Sequence, residues 1–326
     1  MRVVLFAPNW LGDAVMALPA IADIRRGMPG AALDVVARPS VAPLFGLTPG
    51  PGAVIEAVDR RHLADSLQRQ AYDVAILFPN SFASALAAER AGILERWGYR
   101  GQWRAPLLTR AVPPPRSVHQ SEFYQHLVRA LGFPSGPCDP TLVLADDRRQ
   151  AGRELLERSG WDGRIPLVAM APGAAFGGAK RWPAKNFAAL AKNLGNDGAV
   201  VVLTGAAADR AAADELLAAL AGQARPIDLV GRTDLCTLTS VFAHCRALVT
   251  NDSGAMHVAA ALGLDVIALF GPTRERETAP LGRGRRQILT TDVWCRPCML
   301  RECPLTHRCM TEIAVARVHE AVRPSL

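Results

Sequence analysis

Short apolar runs of strand length recur along the chain, separated by stretches with helical spacing of apolar positions. "RVVLFA" (2–7) is the first run, and residues 13–27 follow as a helix, with Val15, Leu18, Ile21, Ala22 and Arg25 at helical intervals. "ALDVVA" (32–37), "AVIEAV" (53–58) and "DVAILF" (73–78) are further strands with helical stretches between them. Strands alternating with helices predict a parallel sheet covered on both faces. The rhythm stops at 99–117, "YRGQWRAPLLTRAVPPPRS", which reads as a loop rich in Arg, Pro and Gly, followed by a helix near 118–131. The Pro- and Gly-rich "GFPSGPCDPTLVL" opens an interdomain linker that runs to about residue 160.

The second half repeats the plan. Strands are expected at 166–172, 199–205, 227–230, 247–251 and 265–271, with helices at 184–195, 207–222 and 234–244. "GAMHVAAALG" adds another helix. The reading is therefore α/β, with two doubly wound, Rossmann-like domains at 1–160 and 161–326. The final helix is left free to pack back on the first domain. Ligand is expected in a cleft between the two, at the carboxyl ends of the strands.

Length agrees with this division, because one hydrophobic core stops growing at about 250–300 residues and the chain has 326. Hydrophobic residues make up 50% and charged residues 21%, an ordinary globular mix. Pro8, Asn9 and Asp13 interrupt the first apolar run, so no signal-peptide core forms. No window of about 20 residues is apolar enough to span a bilayer, which places the protein in the cytoplasm. The formal net charge of +7 favours anionic partners such as phosphates or an acidic membrane surface. Aromatics are only 6% and no basic stretch is interleaved with them, so no nucleic-acid partner is expected.

Four segments carry candidate chemistry. In "LVTNDSGAMHVAAALG" (248–263) a strand ends at Asn251-Asp252-Ser253-Gly254 and a helix begins. Asp252 or Ser253 can cap it, and its first-turn amides suit an anion. His257 lies four residues beyond Ser253, on the same face. An ordinary capped helix with a packed histidine is an even competitor. In "MAPGAAFGGAKRWPAKNF" (170–187) a glycine-bearing loop ends in Lys180-Arg181, a pattern that suits a diphosphate or, equally, a solvated surface loop. In "LTGAAADRAAADEL" (203–216) Asp209 stands in a helix's first turn, where it can accept from ribose hydroxyls or, more simply, offset the helix dipole. In "FAPNWLGDAVMALPA" (6–20) Gly12 permits close approach of a ligand, and Asp13 is either a general base or a dipole-complementing acid. The dinucleotide fingerprint G-x-G-x-x-G is missing there, against a dehydrogenase.

Seven cysteines are present, and four cluster as C-x2-C-x4-C-x5-C at Cys295, Cys298, Cys303 and Cys309, with His307 among them. A structural metal, reduced thiols holding a basic loop, and a redox-labile pair all remain open. Cys138, Cys236 and Cys245 read as buried core residues.

Taken together, "VLFAPNWLGDAVMALPAI", "APGAAFGGAKRWP", "TNDSGAMHVAAALG", "ALFGPT" and "CRPCMLRECPLTHRCM" resemble the ADP-heptose:lipopolysaccharide heptosyltransferases, glycosyltransferase family 9. The likeness runs from about residue 2 to about 313, and the cysteine-rich segment points to the type II branch. The resemblance implies a GT-B fold, an N-terminal acceptor-binding domain and a C-terminal domain for the nucleotide sugar. It implies ADP-L-glycero-D-manno-heptose as donor and no required cofactor. It also implies the first heptose of the inner core, carried on Kdo-lipid A, as acceptor, met at the inner membrane surface. By the same resemblance Asp13 is the catalytic base and Lys180 contacts the diphosphate. Asp209 matches a ribose-binding position less closely, and Asp252, Ser253, Gly254 and His257 match the segment around the diphosphate. No Asp-x-Asp motif is present for a metal-bridged diphosphate, and no second carboxylate is evident as a covalent nucleophile, so direct displacement with inversion is expected. The basic stretch with Arg100, Arg104, Arg110 and Arg116 is either a phosphate contact for the acceptor or a solvated loop. Two alternatives stay open: the same fold with another nucleotide sugar or acceptor, and a non-catalytic two-domain binding protein.

Overall fold

A computed structural model describes residues 1–48 and 51–326. The chain divides into two compact units, Met1–Val143 and Leu144–Leu326. The first holds β1 (Arg2–Phe6), β2 (Ala32–Ala37), β3 (Val54–Glu56), β4 (Val74–Leu77), β5 (Glu95–Tyr99) and β6 (Arg110–Val112) in the order β3-β2-β1-β4-β5-β6, every pair parallel. The second holds β7 (Leu167–Ala171), β8 (Val200–Leu203), β9 (Ile227–Asp228), β10 (Cys245–Asn251), β11 (Asp265–Phe270) and β12 (Arg286–Thr290) in the order β12-β11-β10-β7-β8-β9, also parallel throughout.

Each sheet is doubly wound, and the central strands are buried along nearly their whole length. Helices cover both faces, so these strands carry continuous Val, Leu, Ile and Ala runs instead of alternating ones. The direction of winding reverses between β1 and β4 in the first sheet, and between β7 and β10 in the second. Doubly wound sheets bind ligands outside the carboxyl ends of strands at such a reversal.

Several sequence expectations need correction. The helix expected over 13–27 is two, Leu11–Met16 and Leu18–Gly27. Pro19 is the cause: it has no N–H to donate to the carbonyl of Val15, and its ring would collide with that carbonyl. The stretch 99–117 is not all loop, because Arg110–Val112 pairs with β5. The domain boundary falls after Val143, not near 160. Residues Asp146–Arg158 form a helix that packs on the helix Leu235–Phe242 of the second unit. The approach is close because residue 152 is glycine, where a side chain would run into the Ser240 backbone. The last helix, Val315–Val322, packs on the helix Ala184–Asn196 within the second unit. It buries Val318, Ala321 and Val322, and His319 meets Asp197 at 2.7 Å. Among the described residues no helix is long and apolar enough to cross a membrane.

Candidate active site

In the first unit Asp13 sits in the first turn of the helix Leu11–Met16, just beyond β1 and beside the reversal point. Its side chain is half-buried, neither lost to solvent nor sealed in the core. This helix packs on the helix Gln120–Ala130, which supplies Tyr124. Burial, and after it the negative charge of Asp13, push the Tyr124 hydroxyl's pKa upward. Phe78, at the end of β4, meets the Tyr124 ring at 5.0 Å. The charge of Asp13 is thus felt at the ring pair of Phe78 and Tyr124. Gly12, adjacent in the same turn, is also half-buried.

The basic stretch of the first unit divides. Arg104 is 0% exposed. It donates through Nε to the Tyr99 carbonyl at 2.8 Å, through a terminal nitrogen to the Pro79 carbonyl, and to Asn80 Oδ1 at 3.2 Å. Burial pushes its pKa down to about 10. It staples the loops after β4 and β5 together and presents no charge to a ligand, so neither expectation for it holds. Arg100, Arg110 and Arg116 are exposed, and Arg110 lies over the Trp97 ring at 4.8 Å.

In the second unit the loops after β7 and β10 flank the other reversal point. Asn251, 0% exposed, ties them together. Its Oδ1 accepts from the Trp182 amide at 2.9 Å, and its Nδ2 donates to the carbonyls of Pro172 at 2.8 Å and Gly173 at 3.2 Å. This fixes the loop that carries Lys180, whose Nζ stands 2.5 Å from Asp252 Oδ2. Thr273 donates to the same oxygen at 2.7 Å. Asp252 thus aims the lysine. Ser253 is the extended N-cap of the helix Gly254–Ala261. Its hydroxyl pairs with that of Thr250 at 3.0 Å instead of capping, so Ser253 and Gly254 lie at a helix start whose first-turn amides point outward. His257 is buried on that helix, 3% exposed.

Asp209 joins the same group. Its Oδ2 accepts from the Ala206 amide at 2.9 Å. The carboxylate lies directly against Gly173, at the end of β7, where any side chain would collide with it. A helix-start acid is thereby brought beside the lysine loop.

The cysteine-rich segment also belongs here, which its sequence did not reveal. Glu302 accepts from the Gly178 amide at 2.9 Å, the Arg301 carbonyl from the Ala179 amide at 2.9 Å, and His307 Nε2 donates to the Ala179 carbonyl at 2.7 Å. The Lys180 turn is held from outside by residues more than 120 positions away. Cys295, Cys298, Cys303, Cys309 and His307 line one cavity of about 50 Å³. All four are free thiols, and burial, then the neighbouring thiols, push the Cys309 pKa up. Among the described residues no three His, Cys, Asp or Glu side chains form a group that could hold a metal ion. Of the other cysteines only Cys245 is buried. Cys236 is half-buried, and Cys138 is exposed, bonded to Gln125 at 2.9 Å at the surface of the first unit.

Two doubly wound parallel sheets, one with an acid after its first strand and the other with a lysine and a helix start at its reversal point, have the architecture of a GT-B glycosyltransferase. Comparison with known proteins names the family. The model of glycosyltransferase family 9 (heptosyltransferase) matches residues 60–308, and the chain belongs to that family. It is 38% identical over 306 residues to lipopolysaccharide heptosyltransferase 2 of Salmonella typhimurium, covering 88% of each chain. It is similar to the structure of Escherichia coli ADP-heptose lipopolysaccharide heptosyltransferase II, at a TM-score of 0.87 and 33% identity, covering 100% of this chain and 98% of that one. An E. coli heptosyltransferase solved with ADP matches with a TM-score of 0.76 over all of both chains, and at 19% identity it speaks for the fold alone.

Proposed function

We infer that the chain is a heptosyltransferase of the second kind. It moves L-glycero-D-manno-heptose from ADP-heptose to the first heptose of the lipopolysaccharide inner core. The observation that carries this is the likeness to heptosyltransferase 2 proteins, at 38% identity over 88% of the chain. The lysine and helix-start amides of the second unit, and the 33% identical E. coli relative described as an ADP-heptose heptosyltransferase II, support the donor.

Asp13 acts as general base, taking the proton from the acceptor hydroxyl as its oxygen attacks the anomeric carbon. The C–O bond to the diphosphate breaks on the opposite side, the configuration inverts, and ADP leaves with the bonding electron pair. The transition state has oxocarbenium character, as in glycoside hydrolysis. Negative charge builds on the departing diphosphate, and Lys180 with the Ser253 and Gly254 amides offsets it. Asp252 and Thr273 aim Lys180, Asp209 accepts from the ribose hydroxyls, and His257 backs the helix start. The acceptor is heptosyl-Kdo-lipid A, reached at the cytoplasmic face of the inner membrane, and no cofactor is required.

Asp13→Asn tests the mechanism. Positioned general bases contribute about 10²–10⁴-fold, so transfer should fall by that factor while calorimetry finds ADP-heptose bound as before. Transfer at the wild-type rate would remove Asp13 from the reaction. A donor panel of ADP-heptose against UDP- and GDP-sugars tests the substrate, and a preference for a uridine donor would overturn it.

A further inference from the structure

One aromatic ring beside the Lys180 turn carries two cations. The Lys180 Nζ stands 4.8 Å from the centroid of Phe176, and the Arg301 guanidinium carbon stands 5.4 Å from it. The two charges are therefore closer than roughly 10 Å, about one Debye length in ordinary salt, and they repel. Asp252 compensates Lys180. Among the described residues, no carboxylate lies within ion-pair distance of Arg301.

The backbone under Arg301 is fixed on both sides. Its carbonyl accepts from Ala179, and the next residue, Glu302, accepts from Gly178. Two residues earlier the Met299 amide donates to the Pro272 carbonyl at 2.9 Å, and Arg296 donates to Gly271 at 2.8 Å and pairs with Glu275. The segment is thus pinned to the Lys180 turn and to the stretch that bears Thr273. An arginine presented from an ordered backbone costs its own side-chain freedom on binding but no loop ordering. Its planar fork matches two phosphate oxygens at once.

We propose that Arg301 is a second phosphate-binding residue of the donor pocket, delivered by the cysteine-rich segment to the diphosphate that Lys180 also meets. This rests on the reading of the donor as an ADP-sugar. An exposed cation with no carboxylate partner keeps its donors available to an anion, and a diphosphate is long enough to give each cation its own phosphate. The neutral Phe176 ring attracts both charges through its π system. The C-x2-C-x4-C-x5-C segment then has a role that needs no metal: it carries a cation to the pocket rim.

The test is calorimetric titration of the wild-type chain and of R301A with ADP and with AMP. Arg301 is exposed, so the substitution should leave the melting temperature unchanged. ADP should bind about tenfold more weakly to R301A, and AMP, which lacks the second phosphate, within about twofold of wild type. R301K should recover only part of the loss, because it keeps the charge and loses the fork. An equal Kd for ADP in wild type and R301A would overturn the role of Arg301 and leave the donor reading standing. Equal losses for ADP and AMP would mean that the change acts through the loop, and would also overturn it. No ADP binding by the wild-type chain would overturn both readings.

Discussion

Lys180→Ala removes the cation that faces a nearly buried carboxylate. The side chains of Lys180 and Asp252 are 13% and 7% exposed. Stripping one member of a buried pair costs about 3–5 kcal/mol, because the remaining charge keeps its desolvation penalty. Thr273 still donates to Asp252 at 2.7 Å, which puts the loss at the low end, about 3 kcal/mol. The affected unit spans Leu144–Leu326, and for that size each kcal/mol moves the melting temperature by about 2–4 °C. The second unit of the variant should therefore melt roughly 6–12 °C below wild type. Adding Asp252→Asn removes the stranded charge, and the double variant should recover to within about 1 kcal/mol of wild type. ADP affinity should not recover. A hydrogen bond to a charged group contributes about 1.5–3 kcal/mol, so both variants should bind ADP at least about tenfold more weakly. Thermal melting and titration with ADP read the two effects separately. A double variant that melts no higher than the single one would refute the account of Asp252. Wild-type ADP affinity in Lys180→Ala would remove the lysine from the diphosphate site.

Arg104→Met keeps most of the volume but strips the donors that face the Tyr99 and Pro79 carbonyls. It should destabilise the first unit by about 2–4 kcal/mol, and an unchanged urea midpoint would contradict the stapling role. Asp23 is 0% exposed, and burial raises its pKa above the ordinary carboxylate value in spite of Gln125 and Arg26. Its contribution to stability is thus present at acid pH and lost as pH rises through the raised value. Asp23→Asn should gain on wild type between pH 4 and pH 7, read as the difference in urea midpoints, and a gap that stays constant would dispose of the argument.

Much of the architecture was legible in order and type. Nine of the twelve strands among the described residues were read from apolar runs, because a strand buried on both faces must be apolar along its length, whereas β5, β6 and β12 were not. The short edge strands were less so. Arg110–Val112 carries a charge and sits among prolines, and its pairing with β5 is what makes it a strand. Asp146–Arg158 fell inside the linker expected after the Pro- and Gly-rich stretch, and the side it buries depends on the Gly152 contact with Ser240.

The candidate chemistry divides in the same way. Residue type and position relative to a strand end were enough to mark Asp13, Lys180, Asp209 and the 252–257 segment, because a carboxyl end at a winding reversal is where a parallel sheet exposes amides and helix starts. Sequence could not say that Asp252 aims Lys180, that Asn251 ties two loops, or that Glu302 and His307 brace the Lys180 turn. Those contacts join residues 69 to 128 positions apart. Arg104 shows the limit from the other side: among four arginines of one basic stretch, only packing decides which is solvated and which is a buried staple. Local pattern is set by the backbone's periodicity and by what each side chain tolerates, and the chain carries that in order. Partnership across the fold depends on which distant groups burial leaves without water, and that is settled only when the sheets have closed their cores.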